Sequence, residues 1–371
     1  MNKQFLTLLI GVLISLAAQS QELHFYFGNI HAHTKFSDGN KDAATSTVST
    51  PAGSYLFASK SDHFDFLGIS EHNHSQAGMK YENYAEGLTE ADKANKDGRF
   101  VAMYGMEFGV IKNGGHVLIY GLDSLVGWED ENFDIFCDKG DYATLWKLIA
   151  RHPGAFATLA HPENTDFSNL LTSPYNKTAD QAICGVAINT GPAFSTDEGY
   201  TDKPARRFDS YFKQLLALGY RLGPTIDHDN HYTTFGRMAA SRTVILAQSL
   251  TRENIMDAYR QMHFYASEDF NAKVNFTIDG QIMGSTIPLN KADFALSLSI
   301  SDDDNEAVSS VKIMFGVPGS GQTAKLLTSG TANALTFTGS VKKGETFYYY
   351  AEITQADGDK IVTSPIWVNR K

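Results

Sequence analysis

Between residues 24 and 247 the chain returns eight times to a short apolar run: Phe25–Ile30, Phe66–Ile69, Phe100–Met106, Val117–Tyr120, Phe156–Leu159, Ile183–Ile188, Leu222–Ile226 and Thr243–Leu246. Runs of this length suit strands buried on both faces. Amphipathic stretches separate them. Tyr55–Ser61 follows Pro51, a good helix start; Tyr142–Ala150 has helical apolar spacing; Phe208–Leu218 stops at Gly219. A further helix is expected over Arg252–Met262, with Thr251 as its N-cap and Glu253 in its first turn. Strand–helix alternation argues for a parallel sheet, and this many units in about 220 residues argues for an α/β barrel.

The chemistry sits at the ends of these runs. The first is followed by His31-Ala32-His33, then Thr34, Ser37 and Asp38; the second ends in Ser70-Glu71-His72-Asn73-His74; the third in Met106-Glu107. His116 opens the fourth, His161-Pro162 closes the fifth, and Asp227-His228-Asp229-Asn230-His231 follows the seventh. Alternate residues on a strand share a face, so a His-x-His pair aims two imidazoles at one point. One such pair is weak evidence. A rim to which strand after strand delivers histidine or carboxylate is different, because unpaired buried charges are too costly to accumulate. Histidine with Asp and Glu, and without cysteine, suits zinc, manganese or iron. His24, His63, His152 and His263 fall outside this pattern and read as surface or packing residues.

The remaining features bound the setting. Lys3, an apolar run from Phe5 to Ala18 and small polar residues after it read as an export signal over residues 1–21, too short for a comfortable membrane span. A periplasmic or secreted protein with no stable membrane span is therefore expected. The net charge of −11 argues against a nucleic-acid partner, but not against a small anionic substrate held by metal ions. Cys137 and Cys184 lack the paired spacing of a zinc–thiolate site. After Phe270 the pattern becomes strand-like runs separated by Asp-Gly, Pro-Gly, Ser-Gly and Lys-Gly turns, which reads as an antiparallel β-sandwich over 271–371 behind a catalytic domain over 22–270. The acidic run Asp302-Asp303-Asp304-Asn305-Glu306 lacks EF-hand spacing and reads as a solvated turn.

Over about residues 24–270 the motifs resemble those of the PHP (polymerase and histidinol phosphatase) superfamily. His31-Ala32-His33-Thr34 with Ser37-Asp38-Gly39 is similar to its first motif, and Ser70-Glu71-His72-Asn73 to its second, with Glu71 in place of the usual Asp. Gly105-Met106-Glu107 with His116, His161-Pro162 and Asp229-Asn230-His231 are similar to the remaining ones. Ser364-Pro365-Ile366-Trp367-Val368 resembles the end of the β-domain carried by some secreted members. The resemblance implies a distorted seven-stranded (β/α) barrel of PHP type with two or three divalent ions. One ion would use His31, His33, Glu107 and Asp229; a second would share Glu107 and add His116 and His161; a third would use Asp38, His72 and His231. Asp227 is a competitor of Asp229.

The activity so implied is hydrolysis of a phosphorylated small molecule by attack of a metal-bound hydroxide, with Glu107 as bridging carboxylate. His228 or His74 is a candidate proton donor to the leaving group, and Arg237, Arg206 or Arg207 a candidate cation for the phosphate. Two rival readings stand: hydrolysis of a carboxylic ester, carbamate or amide on the same metals, and a non-catalytic glycan- or partner-binding protein. The second would use Tyr348, Tyr349, Tyr350 and Trp367 as a platform, although strand alternation favours packing for these.

Overall fold

The structure, a computed structural model, describes residues 22–111 and 114–371. The export signal expected over 1–21 lies outside the described residues. Each of the eight apolar runs forms a strand: β1 His24–Asn29, β2 Phe66–His72, β3 Val101–Phe108, β4 His116–Tyr120, β5 Phe156–Ala160, β6 Ile183–Thr190, β7 Gly223–Asp227 and β8 Arg242–Ala247. A ninth, β9, spans Phe264–Ser267. Nearly every residue of β2 to β8 is buried, which is why these strands show no polar alternation in sequence.

The principal helices are α1 Pro51–Ala58, α2 Tyr81–Ala94, α3 Tyr142–Arg151, α4 Asp209–Leu218 and α5 Arg252–Arg260. α1 begins at Pro51 because the Thr50 side chain accepts from Gly53 N and Pro51 occupies the first turn. Gly219, with φ of 106°, ends α4, and the Thr251 hydroxyl caps α5 at Asn254 N. α2 has no counterpart in the sequence reading: only Tyr84, Gly87 and Ala91 of its length are buried, too sparse a stripe to stand out.

The expected seven-stranded (β/α) barrel does not describe this molecule. Strand accounts for 36% of the chain and helix for 20%, and one mixed sheet of 16 strands runs through both halves. Its order begins β7-β6-β5-β4-β3-β2-β1-β8-β9. β1, β2 and β3 are mutually parallel, as are β5, β6 and β7, but β4 lies antiparallel to both β3 and β5, and β8 antiparallel to both β1 and β9. The physical reason lies in the connections. Only seven residues separate β3 from β4, too few for the crossover a parallel partner needs, and among the described ones Gly109 and Gly115 are left-handed (φ of 117° and 86°). Apolar runs of this length do not report strand direction.

The C-terminal half corrects the sandwich expectation in the same way. β10 Lys273–Ile278, β11 Asp293–Ser301, β12 Val308–Gly316, β13 Lys325–Gly330, β14 Ala334–Ser340, β15 Thr346–Gln355, β16 Lys360–Thr363 and β17 Ile366–Asn369 lie in two layers. Phe276, Leu296 and Leu298 of one pack with Ile313, Ala351 and Ile353 of the other in a single apolar cluster. Only the layer holding β10, β11 and β14 is a separate sheet. The other, β16-β15-β12-β13, continues the large sheet through β9–β16 pairing, with Tyr265 opposite Thr363 and Ser267 opposite Ile361. Tyr348, Tyr349, Tyr350 and Trp367 are all buried, so they are core and not a glycan platform. No described helix is long and apolar enough to cross a membrane.

Candidate metal centre

The mixed topology places the site. β4 runs against its neighbours, so His116 at its start reaches the same rim as Glu107 near the end of β3 and His161 just after β5. His116 lies opposite Ala160. The chain beyond β1 and the chain beyond β7 meet at that rim through a parallel bridge between Ala32 and Asn230; His33 N donates to Asn230 O and Asp229 N to His31 O, both at 2.9 Å. His161 and Asp229 hold left-handed backbone, φ of 26° and 56°, which non-glycine residues adopt at a cost and which recurs at functional sites.

Glu107 is the hub. Its fully buried carboxylate lies 3.2 Å from Nε2 of His31, His33 and His161, 3.1 Å from Nδ1 of His72 and 2.7 Å from Nδ1 of His116. Asp229 Oδ1 stands 3.2 Å from His31 Nε2 and 3.1 Å from His33 Nε2. Asp38 Oδ1 is 3.3 Å from His231 Nε2 and 3.7 Å from His72 Nε2. All nine expected ligands therefore converge on one region.

Three groups of donor atoms lie close enough to share an ion: His31 with His33, Glu107 and Asp229; His72 with Glu107 and His116; His33 with His72 and His231, the atoms within each group falling inside 4.8 Å. The first group matches the expected set. In the others His72 joins Glu107 and His116, while His161 and Asp38 contact the cluster from its edge.

The donor atoms fit metal ions. His31 Nε2, His72 Nδ1, His116 Nδ1, Glu107 Oε2 and Asp38 Oδ1 are buried and make no hydrogen bond. Donors about 2.0–2.1 Å from a tetrahedral zinc lie about 3.3 Å apart, close to most of these spacings, whereas a charge-assisted hydrogen bond prefers about 2.7–2.9 Å. Burial alone would push Glu107 up, but the imidazoles of His116, His31 and His72 hold it well below the usual carboxylate range. Asp229 behaves likewise beside His31, His33 and His231. Both stay ionised, as ligands must. The protein thus has His/Asp/Glu clusters able to hold metal ions.

Behind the ligands stand residues that orient them. Nδ1 of His31 donates to Asp227 Oδ2 at 3.1 Å, and Nδ1 of His231 to the Asp229 carbonyl at 2.9 Å, leaving each Nε2 free to face the centre. Asp227 is therefore a support for His31, while Asp229 faces both motif histidines. Glu71 accepts from Thr34 N at 3.0 Å and from the hydroxyls of Thr34 and Ser37, fixing the loop that carries His33 and Asp38.

Two expected catalytic residues are misplaced for that role. His228 is buried against the Phe64 ring, its Nε2 contacts Ser241 O at 2.8 Å, and burial followed by Arg242 drives its imidazole down to about 3. Those contacts with Phe64 and Ser241 hold it in the core beside the strand end, and it does not line the cleft. Arg237 bonds Ser61 Oγ, Glu198 and Lys60 O and stacks over Phe57. Arg206 pairs with Glu163 and Arg207 with Glu268. His74 does line the cleft, against Trp128.

The centre opens into a cleft of about 410 Å³ walled by His72, His116, His161, Val110, Ile111 and Phe194. Lys41 stands at its edge, 3.3 Å from Asp38 Oδ2 and 5.5 Å from the Phe194 ring centroid; Phe194 in turn packs on His231. Lys41 and Phe194 were not singled out in the sequence. The available signal for Lys41 was its place three residues after Asp38.

No known protein-family model matches the chain, and no curated protein sequence matches it. Among solved structures, a superoxide reductase (neelaredoxin) from Ignicoccus hospitalis aligns at 12% identity over 27% of this chain and 80% of its own, with a TM-score of 0.20. The pectate lyase Pel3 from Pectobacterium carotovorum aligns at 11% identity over 26% of each chain, with a TM-score of 0.18. An engineered protein aligns at 12% identity over 92% of this chain and 87% of its own, with a TM-score of 0.25. Likenesses this weak assign neither fold nor activity.

Proposed function

We propose that this protein is an exported metal-dependent hydrolase, a phosphoesterase related in its motifs to the PHP superfamily, acting on a phosphorylated small molecule in the periplasm or outside the cell. One observation carries the reading: a single buried carboxylate, Glu107, within 3.2 Å of five imidazole nitrogens at the floor of an open cleft. Zinc, manganese or iron, two or three ions in number, suits that donor set. Bound ions would supply a nucleophile by lowering the pKa of water and would polarise the scissile group. Glu107 would fix the spacing of the donors around it, Asp227 and Glu71 would hold His31 and the His33–Asp38 loop in place, and His74 on the cleft wall would pass a proton to the leaving group. Lys41 at the edge would meet phosphate charge.

A second reading, hydrolysis of a carboxylic ester, carbamate or amide, is favoured by a different observation. The described residues lining the cleft include no lysine or arginine, while Val110, Ile111, Ala193 and Phe194 make its mouth apolar. Assays with p-nitrophenyl phosphate, bis-p-nitrophenyl phosphate and p-nitrophenyl acetate, with Mn²⁺ or Zn²⁺ added, separate the two. Metal-dependent turnover of the phosphate esters supports the first; turnover confined to the acetate replaces it with the second.

A further inference from the structure

The cleft over the histidine centre carries apolar surface that the donor cluster does not explain. Among the described residues eight large hydrophobic side chains stand exposed, and two of them, Phe194 at 62% and Ile111 at 68%, line this one cleft. They come from separate connections, Ile111 from the return between β3 and β4 and Phe194 from the segment after β6; Val110, Ala193 and Ala77 line the cleft with them. Exposed apolar side chains scattered singly need no account, but gathered beside a cluster of ligands they mark a surface that a bound molecule covers. Phe194 is also held in place. His231 N donates to Ala193 O and Lys41 N to His231 O, both at 2.9 Å, while the Ser195 hydroxyl donates to Asp202 and accepts from Asp197 N. The Phe194 ring therefore rests with its centroid 4.8 Å from that of His231 and 5.5 Å from the Lys41 ammonium. A candidate metal ligand, a cation and an open aromatic ring are fixed side by side before any ligand arrives.

We propose that Phe194, with Val110 and Ile111, is the subsite for an aromatic ring in the alcohol part of the substrate, so that the preferred substrate is a phosphomonoester of a phenol or an aryl alcohol. The inference rests on the reading of the cleft as the site of a metal-dependent phosphoesterase and deepens it. The ring lies on the open part of Phe194, in the offset or edge-on geometry that aromatic pairs prefer, while the phosphoryl group meets Lys41 and the histidine centre. The cleft volume of about 410 Å³ is that of a site for a small organic ligand, with room for a ring beside the phosphoryl group. Lys41 stands 5.5 Å from the ring centroid and 3.3 Å from Asp38 Oδ2, so ring and phosphoryl group are near neighbours, closer than the ribose of a nucleotide sets its base. A sugar phosphate fits worse. Its hydroxyls would press on Val110, Ile111, Ala193 and Phe194, whose side chains offer no hydrogen bond, and would give up water without replacement.

The test is calorimetric titration of the full-length, Zn²⁺-loaded protein with benzylphosphonate, hexylphosphonate and methylphosphonate, whose phosphorus–carbon bond resists hydrolysis, so that binding is read without turnover. Wild type is expected to bind benzylphosphonate about tenfold or more tighter than methylphosphonate, the gain from covering one ring, and tighter than hexylphosphonate. Phe194→Ala should close the gap between benzyl- and methylphosphonate to about twofold, and Phe194→Tyr, which keeps a ring to stack on, should preserve it. Both variants should keep the wild-type zinc content and a cooperative melt. Equal binding of benzyl- and methylphosphonate by wild type overturns the ring subsite and leaves the phosphoesterase reading standing. A gap that persists in Phe194→Ala overturns it by placing the ring elsewhere, and hexylphosphonate binding as tightly as benzylphosphonate overturns it in favour of an alkyl chain. Failure of all three phosphonates to bind defeats it together with the phosphoesterase reading.

Discussion

Nδ1 of His31 and Oδ2 of Asp227 stand 3.1 Å apart, both buried, on segments 196 residues apart in sequence. That contact sets the imidazole's tautomer and turns Nε2 toward Glu107 and Asp229. In Asp227→Asn the amide N–H can donate to Nδ1, which favours the tautomer with its proton on Nε2, where the lone pair is needed. Metal affinity should fall about 10–100-fold with the fold intact. Competition against a coloured chelator measures it; unchanged affinity removes Asp227 from its supporting role.

Glu71 works through the loop. One main-chain N–H, that of Thr34 shared between both oxygens, and two hydroxyls converge on its fully buried carboxylate. Glu71→Ala orphans those donors in the interior and should destabilise the protein by about 3 kcal/mol or more, with weaker metal binding because His33 and Asp38 lose their anchor. Urea titration and metal analysis read the two effects. Wild-type stability in this variant would show the loop to be fixed by other contacts.

Lys41 is the described lysine at the cleft edge. Lys41→Met should raise KM for p-nitrophenyl phosphate about tenfold, an interaction of about 1.4 kcal/mol, with little change in kcat, and should leave an uncharged ester unaffected. Equal effects on both substrates would mean that Lys41 acts by holding Asp38 and not by meeting phosphate.

Cys137 and Cys184 are free and buried, and burial pushes the Cys137 thiol up to about 12. A thiol reagent should therefore leave the native protein untouched and titrate two thiols after unfolding. Fewer than two in the unfolded, unreduced protein would reveal a disulfide.

The convergence of the candidate donors was legible in the sequence, since they sit at ends of apolar runs, and that placement survives whichever way a strand points. Fold class did not survive, for the same reason: Val117–Tyr120 reads alike as a parallel or an antiparallel strand, and only the short glycine-bearing return before His116 separates the cases. Continuity of the large sheet was equally hidden, because Lys360–Thr363 was not read as a strand and it is the segment that joins β9 to β15. The acid and cation assignments to His228 and Arg237 leaned on proximity in sequence to Asp229. His228 turns into the core against Phe64, and Arg237 is engaged by Ser61 and Glu198. Lys41 became visible only when the 38–41 turn and Phe194 came together.

Divalent metal counted per chain, in protein purified without chelator, meets the account at its centre. Wild type should carry two or three ions of zinc, manganese or iron, and Glu107→Gln should lose most of them along with turnover while its melting profile stays cooperative. A wild-type protein that neither retains nor takes up these metals, or a Glu107→Gln variant with its full complement, would contradict it.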